Sequence, residues 1–268
     1  MIIDTHVHLS PRDLSGNRLA EEAARLGIDK LVVFNDSVSE RPTYDDVLAA
    51  AARHPGRIIP FAYLELGTHA PSDVERLHHE GFRGFKCIYP RVNYNDQSLW
   101  PVYEAAEELG MIMLFHLGVV AVSDSDRMRE VDSSRMRPIF LDAVLRRFRK
   151  LVVWGAHLGN PWYEEAAMLC RWHLNLYFDL TGSSLKAKPP EFFGQLLWWG
   201  NNQQYGDRRG RGPWDKILFG TDVAIEKMGD VMNDYRRLMD TLRLPDTART
   251  AVMGGTAAKL LGLEQGGA

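Results

Sequence analysis

Apolar residues fall along the chain in short runs, and the stretches between the runs have helical spacing. Eight runs stand out: "IIDTHVHL" (2–9), "KLVVFN" (30–35), "RIIPFAYLEL" (57–66), "FRGFKCIYP" (82–90), "MIMLFHLG" (111–118), "LVVWGAHLG" (151–159), "NLYFDLTG" (175–182) and "KILFGTDVA" (216–224). Most are rich in β-branched or aromatic residues and almost continuously apolar, as parallel strands covered on both faces are. The first run is different. Asp4, His6 and His8 take every second position in it, so on a strand all three point to one face.

The intervening stretches carry helix signals. "NRLAEEAARLG" stops at Gly27, and "TYDDVLAAAARHPG" starts at a Thr cap. "SDVERLHHEG" predicts a capping box from Ser72 to Glu75, and "SLWPVYEAAEELG" places Pro101 in a first turn. "RPIFLDAVLRRFRK", "WYEEAAMLCRWH" and "PPEFFGQLLWWG" follow the fifth, sixth and seventh runs, and "GDVMNDYRRLMDTL" and "DTARTAVMGGTAAKLLGL" close the chain as two helices. On the first of these two, Tyr235 and Arg236 are expected to face solvent.

Strand then helix, repeated eight times, predicts an α/β protein with a closed (β/α)8 TIM barrel. The first five runs start about every 28 residues, the length of one βα unit. No linker divides the chain, so residues 1–268 read as one domain. An open doubly wound sheet is the alternative, and eight units in series favour closure. Two longer loops follow the fifth and seventh strands: polar "VVAVSDSDRMREVDSSRMRP" and "GNNQQYGDRRGRGPW", rich in Gly, Asn, Gln and Arg.

Composition narrows the class. A formal charge of −3 gives no reason to expect nucleic acid or a membrane surface as partner. No apolar run is long enough to span a bilayer. Two cysteines, Cys87 and Cys170, do not make a disulfide framework. Asp4 and His6 interrupt the apolar core that a secretory leader needs, so a cytoplasmic protein is expected.

The chemistry sits at the ends of the runs. His6 and His8 close the first strand, His116 the fifth, His157 the sixth and Asp222 the eighth. In a barrel all five arrive at the C-terminal face, where barrel enzymes place their reactive groups. Three histidines and a carboxylate suit zinc or a similar divalent ion. Read singly, His6 and His8 are a buried and an exposed histidine, Asp222 a loop cap, and His157 a residue behind the site.

Taken together, HxH on the first strand, "FHLG", "GAHLG" and "LFGTD" resemble the amidohydrolase superfamily. "RGFKCIYP" and "GGTAAKLLGL" are similar to its amidohydrolase-2 branch, which includes metal-dependent decarboxylases related to aminocarboxymuconate-semialdehyde decarboxylase. The likeness runs end to end, with Thr256 where the branch usually has Asn. It implies that His6, His8, His116 and Asp222 hold one divalent metal, most simply zinc. His157 then stands beside the water or substrate, or binds a second ion. Asp222 and His157 become the catalytic pair, Asp222 as general base and His157 as a polarising or oxyanion-stabilising group.

Lys86 lies on the fourth strand, where two-metal members of the superfamily carry a carboxylated lysine. A carbamate there implies a second ion; a plain lysine either faces the mouth as a cation for a substrate carboxylate or snorkels outwards. Cys87, its neighbour, then faces outwards. Tyr89 and Arg91 end the same unit, and Trp162 follows "HLGNP" as a pocket wall. With Arg127, Arg129, Arg135 and Arg137 in the loop after strand five, these residues predict a small anionic substrate. Trp198 and Trp199 are expected to pack their helix or serve an interface, and barrels of this branch often form a homodimer. Two reactions follow. One is hydrolysis of an amide, ester or lactone with metal-activated water; the alternative is metal-dependent, non-oxidative decarboxylation of an unsaturated or aromatic acid. A barrel that only binds a ligand is the non-enzymatic reading, and the complete ligand set argues against it.

Overall fold

The computed structural model describes residues 1–35, 41–123, 126, 130–199 and 212–263. Arg127, Arg129 and most of the loop after the seventh strand lie outside the described residues. The strands are β1 (Ile3–His8), β2 (Lys30–Phe34), β3 (Ile58–Pro60), β4 (Ala62–Tyr63), β5 (Gly84–Cys87), β6 (Ile112–Phe115), β7 (Val153–Gly155), β8 (Leu176–Asp179) and β9 (Ile217–Leu218). Every paired neighbour is parallel, in the order β1-β2-β3 and β4-β5-β6-β7-β8-β9.

The third apolar run supplies both β3 and β4. Pro60 has no N–H to give a ladder, and pairing passes from β2 to β5 around it. Phe61 N–H donates to Val33 O at 2.9 Å, and Arg83 N–H donates to Pro60 O at 2.9 Å. The ring closes between the last strand and the first. Thr5 N–H donates to Phe219 O at 3.0 Å, and Asp222 N–H donates to His6 O at 2.8 Å. The eight expected strands are therefore all present in a closed TIM barrel, with the eighth shorter than its apolar run.

Around them run α1 (Asn17–Leu26), α2 (Tyr44–Arg53), α3 (Pro71–His79), α4 (Trp100–Glu108), α5 (Leu141–Arg147), α6 (Tyr163–Trp172), α7 (Ser184–Ala187), α8 (Pro190–Leu196), α9 (Met228–Thr241), α10 (Asp246–Thr250) and α11 (Thr256–Leu260). None of the described helices is long and apolar enough to cross a membrane. Gly27 ends α1 and Thr43 caps α2, as the sequence predicts, and Asp46 is the reciprocal partner of Thr43.

Strand alternation sorts the apolar residues into two layers. Ile3, Val32, Phe34, Phe61, Ile112, Leu114, Trp154 and Leu218 fill the barrel interior, where Phe61 stacks on Trp154 at 5.6 Å between centroids. Leu31, Val33, Phe85, Cys87, Met113, Phe115 and Phe178 point the other way, into the helices. Cys87 faces outwards as expected, and Lys86 inwards. A fully buried side chain of this size contributes about 1.5–3 kcal/mol, so the two layers supply most of the driving force for closure.

Local expectations are corrected at α3 and in the last stretch. The α3 start lies one residue earlier than Ser72, because Pro71 is pre-set for a first helical position. Asp73, not Glu75, closes the turn by accepting from Ala70 N–H at 2.9 Å. The last stretch is two helices, not one. Its chain kinks at Gly254, φ 156°, where a Cβ would meet Ile3 N and Met1 O at 2.7 Å. A helix without that glycine cannot lie so close to the start of β1. Thr256, the departure noted above, donates its hydroxyl to Asp215 O at 2.9 Å and ties α11 to the segment before β9. Trp199 is buried, whereas Trp198 is exposed and stacks on the Arg171 guanidinium at 4.7 Å.

Tyr235 does not face solvent: it is fully buried, while Arg236 is exposed. Its hydroxyl accepts from Leu180 N–H at 2.8 Å and donates to Leu218 O at 3.1 Å. It therefore pins the ends of β8 and β9 together from outside the barrel. Tyr235→Phe leaves both backbone groups buried without that partner, at a cost of about 1–3 kcal/mol. The expected result is a lower urea midpoint with an unchanged slope; an unchanged midpoint would show that the hydroxyl does not hold this seam.

Candidate metal centre

β1 delivers the first two imidazoles. His6 is fully buried and His8 partly exposed, and their rings lie 5.6 Å apart. A register shift between Asp4 and Val7 sits beneath them. Asp4 itself turns to the last strand. It accepts from Thr221 N–H at 3.0 Å, from the Thr221 hydroxyl at 2.6 Å and from His6 N–H at 3.1 Å. Burial pushes its pKa up to about 7, and the Thr221 hydroxyl pulls against that shift. Asp4 is thus a clamp between the first and last strands.

Asp222 follows β9 on a left-handed backbone, φ 50°. A non-glycine residue in that region costs of order 1–3 kcal/mol and persists only where its surroundings fix it. Here the Asp222 N–H bond to His6 O fixes it, and the carboxylate reaches inwards. Oδ1 lies 3.0 Å from His8 Nε2 and 3.5 Å from His6 Nε2. The candidate ligand atoms of His6, His8 and Asp222 all lie within 4.8 Å of one another.

His116 and His157 form a second pair beside this cluster. His116 follows β6, and His157 follows β7 with φ 62°. His157 Nε2 lies 3.2 Å from His116 Nδ1, while His157 Nδ1 lies 2.7 Å from the Thr181 hydroxyl and 3.8 Å from Asp222 Oδ2. Gly182 makes this placement feasible: its φ is 61°, and a Cβ there would fall 2.4 Å from His157 Nδ1. His116 Nε2 is buried with no hydrogen-bond partner, an unusual state for a buried polar atom.

Asp179 is the residue that the sequence reading passed over. It ends β8 in "FDLTG" and is almost fully buried. Oδ2 meets His6 Nδ1 at 2.7 Å. Oδ1 accepts from His157 N–H at 2.8 Å, Thr181 N–H at 3.0 Å and the Thr181 hydroxyl at 2.6 Å. The signal that marked the other residues, a polar side chain closing an apolar run, was present here too.

Protonation suits a cation. Burial lowers the pKa of His6 and His116, the latter well below the ordinary value, and brings His157 down to about 4. Burial acts the other way on Asp222 and Asp179. Their contacts together outweigh it, His6 first in both, with His8 and His157 adding at Asp222 and His157 and the Thr181 hydroxyl at Asp179, and hold the two carboxyls low. At neutral pH His6, His116 and His157 are neutral imidazoles and Asp222 and Asp179 ionised carboxylates, the forms that bind metals. The donor set, the unpartnered His116 nitrogen and the carboxylate behind His6 all fit a divalent ion.

Lys86 is buried, and its Nζ lies 2.8 Å from His6 Nε2 and 5.2 Å from the Phe34 ring centroid. It occupies the heart of the site, beside the same nitrogen a metal would take. Three arginines expected to meet substrate have carboxylate partners. Arg91 is half-exposed and pairs with Glu65 at 2.6 Å, Arg135 pairs with Glu130 at 2.5 Å, and Arg137 pairs with Glu165 while covering the Trp162 ring at 5.4 Å. Tyr89 follows β5 with φ 57° and is partly buried.

Solved barrels share this fold. A TIM-barrel protein of Bordetella bronchiseptica is 21% identical, with 98% of each chain covered and a TM-score of 0.72. A protein of Acinetobacter baumannii described as a probable 2-pyrone-4,6-dicarboxylic acid hydrolase, with citric acid bound, is 14% identical over 97% of this chain and 99% of its own, at a TM-score of 0.64. The 5-carboxyvanillate decarboxylase of Sphingomonas paucimobilis is 14% identical over 97% and 98%, at 0.66. No curated protein matches the chain in sequence. The family model described as amidohydrolase covers residues 3–263, and on that match the chain belongs to the amidohydrolase family.

Proposed function

We propose that this barrel is a metal-dependent hydrolase that cleaves a C–N or C–O bond, in an amide, ester or lactone, of a small carboxylated substrate. The observation that carries the reading is the gathering of His6, His8 and Asp222 ligand atoms within 4.8 Å at the barrel mouth. His6 and His8, each through Nε2, and one oxygen of Asp222 would hold the ion, with His116 as a further nitrogen ligand; zinc suits this set. When bound, the ion supplies Lewis acidity and lowers the pKa of water from about 15.7 towards about 7.

The chain's own residues do the rest. Asp222 accepts a proton from the attacking water and returns it to the leaving nitrogen or oxygen, so the new C–O bond forms as the old bond breaks. His157, held neutral by burial and engaged by Thr181 and His116 on its two ring nitrogens, walls the pocket and limits where the reacting carbonyl lies. Lys86, as an unmodified ammonium, attracts the substrate carboxylate into a mouth whose rim arginines already face Glu65, Glu130 and Glu165. Two barrels of the same fold are named for carboxylated ring compounds, a pyrone dicarboxylic acid and a carboxyvanillate, which supports an anionic substrate here.

Three outcomes test this reading. Elemental analysis of the purified protein is expected to give about one divalent ion per chain, and His8→Ala is expected to lose most of it while keeping the wild-type circular dichroism spectrum. A folded, active and metal-free wild-type protein would end the proposal. Lys86→Met is expected to raise KM for a carboxylated ester or lactone about tenfold, about 1.4 kcal/mol of ground-state binding, with metal content unchanged; a fall in metal content would point instead to a carboxylated lysine and a second ion. Assays against lactones, esters and unsaturated carboxylic acids are expected to show ring or ester opening without carbon dioxide. Carbon dioxide release would replace hydrolysis by decarboxylation.

A further inference from the structure

We propose that Asp179 is a positioning residue that fixes the tautomers of three imidazoles at once, so that His6 and His116 each keep an unprotonated Nε2. The consequence for a metal rests on the reading above; the tautomers rest on hydrogen-bond geometry among neutral imidazoles.

The first arm is short. His6 Nδ1 lies 2.7 Å from Asp179 Oδ2. His6 Nε2 lies 2.8 Å from Lys86 Nζ. An ammonium only donates, so Nε2 must be the acceptor and the His6 proton must sit on Nδ1. Asp179 Oδ2 therefore accepts. A protonated Asp179 donating to His6 would leave two donors face to face at Lys86.

The second arm is a relay. Asp179 Oδ1 takes the Thr181 hydroxyl proton at 2.6 Å, and with it the backbone N–H groups of His157 and Thr181. A threonine hydroxyl has one proton to give. Its second contact, 2.7 Å from His157 Nδ1, must then be one in which Nδ1–H donates and Oγ1 accepts. Neutral His157 is left with a bare Nε2. That atom lies 3.2 Å from His116 Nδ1, so His116 carries its proton on Nδ1. Neutral His116 ends the chain with a bare Nε2, the buried nitrogen that has no partner.

One carboxylate thus prepares two lone pairs on two strands. A histidine that binds metal through one nitrogen commonly donates its other N–H to a carboxylate; here Asp179 does this directly for His6 and through Thr181 and His157 for His116. The two arms can be cut separately. Thr181→Val removes the relay and spares His6, whereas Thr181→Ser keeps the hydroxyl. Asp179→Asn puts an amide where both arms need an acceptor.

Nitrogen-15 NMR of the histidine rings in the metal-free full-length protein tests the tautomers. His6, His116 and His157 are expected in the Nδ1–H form in the wild type and in Thr181→Ser. Thr181→Val is expected to lose that form at His157 and His116 and keep it at His6. Zinc affinity, read by chelator competition, is expected to fall 10–100-fold in Asp179→Asn, less in Thr181→Val, and to stay near wild type in Thr181→Ser. An Nε2–H form of His6 or His116 in the wild type, or unchanged tautomers in Thr181→Val, overturns the proposal. If Asp179→Asn does not fold, Thr181→Val decides the relay arm and the wild-type His6 tautomer decides the direct arm. Nδ1–H tautomers in a wild type that takes up no zinc support the assignment of Asp179 and sink the metal reading alone.

Discussion

A carboxylate buried as deeply as Asp179 is tolerated only when donors surround it. Its oxygens meet His6 Nδ1, two backbone N–H groups and a hydroxyl. Satisfying that one charge fixes much else. The His157 backbone must turn its N–H inwards, and it does so by adopting φ 62° just past β7. The loop after β8 must bring Thr181 back over the strand end, and Gly182 must leave room for the imidazole. Strands β1, β7 and β8 are thus locked together at the mouth by polar contacts, above an interior that is otherwise held by apolar packing.

The barrel beneath makes this feasible. Parallel strands bring their C-terminal ends to one face, and alternation sends Leu114, Phe34 and Phe61 inwards while Phe115, Val33 and Phe85 face the helices. The interior is apolar in its lower part and polar at the top, where His6, Lys86, His116 and His157 replace the aliphatic residues. Backbone strain concentrates at the same level: His157, Leu158, Ser183 and Asp222 all have positive φ, each in a connection that follows a strand. Strain gathered there is a mark of a site whose side chains must be aimed.

The charge arrangement shapes the functional reading. The mouth holds Asp222 and Asp179 ionised against neutral imidazoles, a net negative surround that favours a cation. Lys86 is the cation present, against His6 Nε2. A divalent ion and an ammonium both suit that surround, and their joint presence would leave positive charge for an anionic substrate. Of the arginines expected to meet substrate, Arg91, Arg135 and Arg137 are engaged with Glu65, Glu130 and Glu165.

By itself the sequence determined the strand order, the helices between the strands, the closed barrel and the arrival of His6, His8, His116, His157 and Asp222 at one face. These follow from local periodicity, which is a property of consecutive residues. Only the tertiary structure decided that Asp222 joins His6 and His8, while His116 pairs with His157. It also showed that Tyr235 is an internal strut, that Arg91 belongs to Glu65, and that Asp4 and Asp179 are supports behind the imidazoles. Each of those facts is a distance between residues far apart in the chain. Such distances depend on barrel closure and on backbone turns such as those at His157, Asp222 and Gly254, which no pattern of apolar and polar positions encodes.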